Sequence, residues 1–162
     1  MVETVDWRKP TLFPYVQANG NWHKPAFQLK IKNTGHRQLT VSLLYLGENF
    51  SITNQLIQAQ ILEPDQEVWA LDHADGRTYI TIPLQLEDHY LQAGIETIPE
   101  FFKVIVCTEP FDTDRFNQSG IPWRVPSAAG VTRALAGRGQ IEKPDWQYFE
   151  IPILIQKPKN AI

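Results

Sequence analysis

The most strongly apolar stretch of the chain runs over residues 101–108, with the sequence FFKVIVCT. Successive side chains of a strand point to opposite faces, and only Lys103 and Thr108 interrupt the apolar character of the two faces here. A strand that is apolar on both faces is typical of the interior of a sheet, where other protein covers each side. The pattern therefore predicts a central strand at 101–108, which Pro110 ends.

Further strands are predicted on both sides of this one. Residues 27–31 alternate between apolar and polar side chains, as a half-buried strand does, and residues 39–46 predict a second internal strand. The inner face of that second strand is expected to carry Leu39, Val41, Leu43 and Tyr45. The remaining predicted strands are 2–8, 68–71, 79–84 and 150–156. Pro83 and Pro152 predict edge positions for the last two, because proline cannot donate a ladder hydrogen bond.

The connections predict turns and very little helix. Pro64 suits the second position of a turn over 63–66, and residues 87–92 predict one short helical turn. Four apolar residues after the second internal strand are expected to cap one end of the core: Phe50, Ile52, Leu56 and Ile57. Short strands punctuated by turns indicate an all-β chain. We expect residues 1–162 to form one antiparallel β-sandwich domain of immunoglobulin-like type.

One long connection, residues 113–145, shows little strand pattern. Its segment 115–143 is rich in glycine and has five basic residues and one acidic residue, although the chain as a whole has a net charge of −3. A connection of this length in a compact domain is usually functional or disordered. Both interpretations remain open.

This loop predicts a partner interface. Five apolar residues are expected on the faces opposite the core, and a solvated face rarely carries so many. They are Leu44, Leu46, Phe102, Val104 and Val106. If the long loop covers them, its arginines face outward towards an acidic protein partner. The predicted interface comprises Leu44, Leu46, Val104, Trp123, Arg124, Arg133 and Arg138.

Composition limits the classes of function. With a net charge of −3 and a pI near 5.8, no overall field attracts nucleic acid or an anionic membrane. No stretch reaches the roughly 18 consecutive apolar residues of a membrane span. The charged first residues do not resemble a secretory signal. A single cysteine favours a reducing compartment, and we expect a cytoplasmic protein.

Cys107 is the candidate nucleophile, with His36, His73 and His89 as candidate bases. The cysteine lies inside an apolar run, however, and a buried thiol is unreactive. We therefore expect Cys107 to be structural.

No cofactor or metal site is predicted. The histidines lack the close spacing of metal ligands, and residues 112–114 begin like a calcium loop that then fails at Phe116 and Trp123. Residues 137–139 lack the lysine and hydroxyl residue of a phosphate-binding loop. Asp112 is better explained as the cap of a turn.

The five tryptophans allow an alternative function. They could form a platform on which sugar rings stack, but they are scattered along the chain at positions 7, 22, 69, 123 and 146. At most two or three of them are expected to converge.

Several segments are familiar in combination. They are KNTG, LTVSLLYLGENFSI, ILEPDQEVWAL, FFKVIVCTEPFD and the dipeptide Asp145-Trp146. Together they resemble the non-catalytic β-sandwich region that follows the peptidase domain in bacterial, notably cyanobacterial, caspase-like proteins. The resemblance covers roughly residues 27–157. The family's catalytic cysteine has a Gln-Ala-Cys-x-Gly setting, which Cys107 lacks.

The resemblance implies a non-enzymatic accessory module of a peptidase, with a role in regulation, substrate presentation or assembly. Its expected partner is a caspase-like peptidase domain, in the same chain or another, or a client of that domain. A free-standing carbohydrate- or ligand-binding sandwich and a small cysteine hydrolase are the alternatives.

Overall fold

The computed structural model describes residues 8–71, 81–122 and 145–158. These residues form eleven strands and one helix, and the fold is all-β as predicted. The strands are β1 (Thr11–Pro14), β2 (Val16–Ala18), β3 (Asn21–His23), β4 (Ala26–Phe27), β5 (Lys30–Lys32), β6 (Leu39–Leu46), β7 (Ile52–Leu62), β8 (Glu67–Trp69), β9 (Ile82–Pro83), β10 (Thr97–Cys107) and β11 (Trp146–Gln156). The helix is α1 (Asp88–Gln92), where one helical turn was predicted. No helix among these residues is long enough to span a bilayer.

A five-stranded sheet is built around β10. Its strand order is β1-β11-β10-β6-β7, so the predicted central strand does lie in the middle and β6 is internal. Four of the five strands are joined by antiparallel ladders, whereas β1 pairs with β11 in the parallel direction. The expectation of purely antiparallel pairing is therefore wrong at this edge.

The register between β10 and β6 decides which side chains face the core. Phe102, Val104 and Val106 lie opposite Tyr45, Leu43 and Val41 respectively. Residues opposite each other in an antiparallel ladder share a face, so these three belong to the core face. The predicted faces of β10 were therefore wrong. Because both faces of this strand are apolar, its own sequence could not distinguish them, and only the pairing with β6 does.

The core lies between the large sheet and three small two-stranded ladders, β2–β3, β4–β9 and β5–β8. The sheet contributes Val41, Leu43, Phe102, Ile153 and Ile155 among others. The small ladders and their neighbours contribute Trp22, Phe27, Ile31, Val68 and Leu84. Apolar side chains from both sides thus form a single cluster.

Two parts of the chain differ from the predicted strands. Residues 27–31 form no single strand, because β4 pairs with β9 while β5 pairs with β8. Residues 52–62, expected only to cap the core, form the eleven-residue strand β7. Ile57 of β7 is buried in the core, but Phe50 is exposed and caps nothing.

Among the described strands, β11 is internal over one part of its length and has a single neighbour over the rest. Over Ile153–Gln156, β11 lies between β10 and β1, so the edge position predicted from Pro152 is wrong for these four residues. The ladder with β1 begins only at Ile153, however, so Pro152 lies just outside it and interrupts none of its pairs. The predicted strand over residues 2–8 lies almost entirely outside the described residues. Of the predicted strand 79–84, Ile82–Pro83 is present in a peripheral ladder as expected.

Residues 108–122, here called the crossing segment, lead from the end of β10 to β7 at the far edge of the sheet. Asp112 accepts a hydrogen bond from the Asp114 amide at 2.9 Å, but the N-cap of the 3₁₀ turn Asp114–Phe116 is Thr113, one position after the predicted residue. Ile52 and Gln118 then form an antiparallel bridge with each other. Phe111 contacts Trp146, which lies opposite Cys107. The segment therefore passes over the sheet face that points away from the core, which we call the far face.

Candidate functional site

The structure separates the residues of the predicted interface. Leu44 and Leu46 are on the far face, opposite Lys103 and Phe101, whereas Val104 points into the core. Trp123, Arg124, Arg133 and Arg138 lie outside the described residues, so their role stays a prediction. Leu44 is buried, although it is not part of the core cluster, and the crossing segment runs over this face. Val104 is thus wrong as an interface residue, because its side chain is on the opposite face from Leu44.

Cys107 is buried, as predicted, with 1 % of its surface exposed. Its sulfur accepts a hydrogen bond from the Glu109 amide at 3.4 Å. His89 lines a groove that also includes Phe101. Cys107 lies six positions after Phe101 in the extended strand β10, roughly 20 Å away, so this groove is far from the thiol. His36 is exposed on the connection before β6, and His73 lies outside the described residues. Within the described part, no histidine is paired with the thiol.

A row of exposed apolar side chains occupies the far face near β11. We define the β11 surface as Leu12, Phe101, Trp146 and Tyr148, all of which are exposed. Tyr148, with 64 % of its surface accessible, is the most open of them. The strand registers place all four on the far face. Phe101 alternates with the core-facing residues of β10, Trp146 and Tyr148 lie opposite far-face residues of β10, and Leu12 lies opposite a far-face residue of β11.

A charged pair crosses the β11 surface. Lys103 Nζ lies 3.1 Å from Glu150 Oε1 and 4.4 Å from the centroid of the Tyr148 ring. Among the described strands, β1 pairs with β11 only from Ile153 onwards, so β10 is the one described strand that pairs with residues 146–152. This segment presents the exposed aromatic side chains of Trp146 and Tyr148.

A second concave feature lies at the opposite end of β10. A groove of about 1050 Å³ is bordered by the turn after β6, by α1, by the start of β10 and by the end of the crossing segment. Its apolar walls include Leu46, Ile52, Ile95, Ile98 and Phe101. Among the described residues, its charged lining consists of Glu48 and Glu87, with His89 beside them.

A buried carboxyl group lies behind the wall of this groove. Glu100 lies opposite Ile153, a core residue, and only 2 % of its surface is exposed. Its side chain is within hydrogen-bonding reach of Tyr45 and Glu48. The Tyr90 hydroxyl donates a hydrogen bond to Glu48 Oε1 at 3.1 Å. We call Glu48 and Glu100 the carboxyl pair.

The surroundings of the carboxyl pair alter its protonation. Burial raises the pKa of Glu100 to about 8, and Glu48 acts in the same direction while the hydrogen bond from Tyr45 opposes it. Burial also raises the pKa of Tyr90 to about 12, with a further contribution from its hydrogen bond to Glu48. Burial and the Glu100 carboxyl group raise the pKa of Tyr45 far above its ordinary value. With its pKa raised to about 8, Glu100 is therefore mostly protonated near neutral pH.

The sequence contained a signal for Glu100. The alternation Ile98, Glu100, Phe102 places a carboxyl group between two apolar neighbours on one face of a strand. This signal was missed because the predicted strand began at residue 101. No local pattern identifies Glu48 as its neighbour, since the two meet only through the pairing of β6 with β10.

Comparison with known proteins gives no family assignment. A scan against protein-family models and a search of curated proteins both find no match for this chain. The resemblance to the caspase-associated region therefore stays a prediction.

Proposed function

We propose that this chain is a non-enzymatic interaction module that binds an extended segment of a partner protein at the β11 surface. The observation that carries the proposal is the exposure of Trp146 and Tyr148 on a segment that pairs, among the described strands, with β10 alone. An extended peptide adds to a free strand edge through backbone hydrogen bonds, and aromatic side chains contribute most of the energy in such contacts. Monomeric proteins rarely leave a patch of this kind without a role.

The proposal includes the fold type and the partner. We infer that the large sheet and the three small ladders are the two layers of a β-sandwich, because one apolar cluster joins them. The partner is a caspase-like peptidase domain or its client, and this choice depends on the sequence resemblance alone. The Lys103–Glu150 pair would let a partner with charges of both signs align across the surface.

Carbohydrate binding is the second candidate. Trp146 and Tyr148 are two residues apart on one face, which separates them by roughly 7 Å along the strand. Aromatic rings at such a distance can stack on neighbouring sugar units. The Trp146 ring packs against Phe111, however, and Lys103 lies over the Tyr148 ring, so protein binding is favoured.

The test is binding of the full chain to a caspase-like peptidase domain from the same genome, measured by calorimetry. The double variant Trp146→Ser, Tyr148→Ser should weaken binding at least tenfold, since truncating aromatic hot spots typically costs 2 kcal/mol or more each. The matched control is Phe116→Ser, because Phe116 is exposed on the 3₁₀ turn that contacts β7 at the other edge of the sheet.

Each result has a defined meaning. Binding that the double variant weakens and the control leaves unchanged supports the proposal. Failure of the wild-type chain to bind the peptidase domain contradicts the choice of partner. Binding that is indifferent to the double variant contradicts the β11 surface. A glycan array on which the wild-type chain binds and the double variant does not would favour the carbohydrate alternative.

A further inference from the structure

The turn over residues 63–66 joins two segments that belong to different sheets. β7 before the turn pairs with β6, and β8 after the turn pairs with β5. The two segments meet again where the Leu71 amide donates to the Leu56 carbonyl oxygen at 2.7 Å. Among the described residues, no strand ladder joins β7 to β8 between these two points. A cleft of about 330 Å³ opens between the segments, and we call it the β7–β8 cleft.

The wall of the β7–β8 cleft is polar but uncharged. It consists of residues 55–60 of β7 together with Val68, Trp69 and Leu71. Three of the six β7 residues are glutamines, and all three are exposed. Each glutamine amide offers two donor hydrogens and one acceptor oxygen. Because the described wall contains no charged side chain, it offers no counter-charge to an ion, whereas a neutral ligand with several hydroxyl groups finds donors and acceptors there.

An irregularity in β7 shapes this wall. The step from Val41 to Leu43 on β6 covers two positions, but the step between their partners Gln60 and Ile57 on β7 covers three. Such a β-bulge bends the strand and redirects its side chains, and bulges are over-represented at sheet edges and next to active sites. The hydroxyl of Ser42, which is wholly buried, donates to the Ile57 carbonyl oxygen at 2.9 Å. The backbone of the wall is therefore fixed by a buried contact.

The aromatic part of the wall is Trp69, at the end of β8. Its side chain is partly buried, and Lys30 Nζ lies 5.1 Å from the ring centroid. Lys30 is held in turn by Glu67, whose Oε2 lies 2.9 Å from Nζ. Lys30 does not line the cleft, so the ring meets the ammonium group and the cleft with different parts of its surface. An indole combines an apolar face with one N–H donor, which suits the C–H face and the hydroxyl groups of a sugar ring.

We propose that the β7–β8 cleft binds a neutral sugar unit, which stacks on Trp69 and hydrogen-bonds with the glutamine amides. The volume of the cleft suits a small ligand, because ligand sites in proteins begin at roughly 300 Å³. An extended peptide fits less well, since the turn over 63–66 closes one end of the cleft and the bond between Leu71 and Leu56 closes the other. The end of a glycan can enter from the open side without passing through.

This site goes beyond the proposed function and does not depend on it. β10 and β6 separate β11 from β7 in the sheet, so three strand spacings, roughly 14 Å, lie between the two sites. The variant Trp146→Ser, Tyr148→Ser should therefore bind sugars as the wild type does, and Trp69→Ala should bind the peptidase domain as the wild type does. Loss of sugar binding in the first variant would transfer the sugar to the β11 surface and overturn the proposal for the cleft.

The experiment uses a panel of neutral methyl glycosides: methyl α-glucoside, methyl α-mannoside, methyl β-galactoside and methyl N-acetyl-β-glucosaminide. Cyclohexanol is the control for a ring without the array of hydroxyl groups, and a tetraglutamine peptide represents the alternative class of ligand. Binding to the full chain is followed by NMR titration, which reads the side-chain amide signals of the glutamines and the indole signal of Trp69 directly. At least one glycoside should give saturable shifts at these signals, whereas cyclohexanol and the peptide should give none.

Variants decide whether the cleft is responsible. Trp69→Ala should weaken glycoside binding at least tenfold, as truncation of an aromatic hot spot typically does. Gln58→Leu should weaken it about threefold to tenfold through lost hydrogen bonds, and provides a second test if Trp69→Ala folds poorly. Gln17→Leu is the matched control, because Gln17 is an exposed glutamine on β2 outside the cleft, and it should leave the affinity unchanged. Absence of binding by all the glycosides, equal binding of cyclohexanol, binding of the peptide alone, or undiminished binding by both cleft variants would overturn the proposal.

Discussion

Glu100 shows how one residue can make stability depend on pH. Its pKa is about 8 in the folded chain and near 4.5 when unfolded, so its protonated form is favoured by folding. The stability that it contributes is complete below pH 4.5 and is lost as the pH rises towards 8. Above that pH the folded chain holds a buried carboxylate beside Glu48.

Glu100→Gln is expected to remove this dependence. As the pH rises from 4.5 towards 8, the free energy of unfolding of the variant, measured by urea denaturation, should increase relative to that of the wild type. The difference should grow by at most about 1.4 kcal/mol per pH unit. At acidic pH the two should be similar, because glutamine resembles the protonated carboxyl group. Glu87→Gln should follow the wild-type profile, and a Glu100→Gln profile parallel to that of the wild type would contradict the raised pKa.

Cys107 illustrates a residue whose surroundings exclude chemistry. Since its side chain is almost wholly buried, a thiol reagent should label it slowly in the folded chain and fully after denaturation. Cys107→Ala should cost about 1–2 kcal/mol of unfolding free energy through lost packing. Rapid labelling of the native chain would instead support the cysteine hydrolase hypothesis.

At the scale of elements, β7 depends on the crossing segment. The Asn54 side-chain amide is buried and donates to Thr113 Oγ1 at 3.0 Å and to Asp114 Oδ1 at 3.1 Å. The Asn54 backbone amide donates to Asn117 Oδ1 at 2.9 Å. One residue of β7 therefore holds three residues of the segment that follows β10.

Asn54→Ala should loosen this attachment. We expect a loss of about 1–3 kcal/mol in unfolding free energy, because the buried Thr113 hydroxyl oxygen loses its donor. Hydrogen exchange at the bridged amides of Ile52 and Gln118 should accelerate. Gln55→Ala, at the next and exposed position, serves as the control and should change neither measurement. Equal protection of the two bridged amides in both variants would show that Asn54 does not hold the segment.

The elements differ in how far their sequences predict them. β6 and the second half of β10 were predicted because residues 39–46 carry apolar side chains at alternate positions and residues 101–108 are apolar on both faces. β7 was missed because its sequence, ITNQLIQAQIL, is rich in glutamine and because two register irregularities break its alternation. The groove could not be predicted, since it forms where the ends of β6, α1, β10 and the crossing segment meet.

At the scale of the whole molecule, the core is a single cluster, and the groove and the aromatic end of the β11 surface lie towards opposite ends of β10. The groove is at the start of β10, whereas Trp146 lies opposite Cys107 at the end of β10. The eleven residues of β10 span roughly 33 Å, but Phe101 belongs to both the β11 surface and the groove wall. Substitutions at Trp146 and Tyr148 therefore test the β11 surface without changing a residue of the groove.

The parallel pairing of β1 with β11 has a mechanical consequence. Thr11 lies beside Ile153 and Pro14 beside Gln156, and the Tyr15 amide adds a further bond to the Gln156 carbonyl oxygen at 2.8 Å. A tensile force applied between Lys9 and Pro158 pulls the two strands in opposite directions along their axes. All bonds of this ladder then bear load together.

Antiparallel neighbours respond differently when they are pulled at one end. Force applied between Gln38 and Glu63 acts on the paired ends of β6 and β7, so the bonds break one after another. Single-molecule force spectroscopy should therefore record a higher unfolding force between Lys9 and Pro158 than between Gln38 and Glu63. Equal forces in the two geometries would show that the β1–β11 ladder bears no load. Held in this way by its first and last described strands, the sheet would resist tension applied along those strands more strongly than tension that separates β6 from β7.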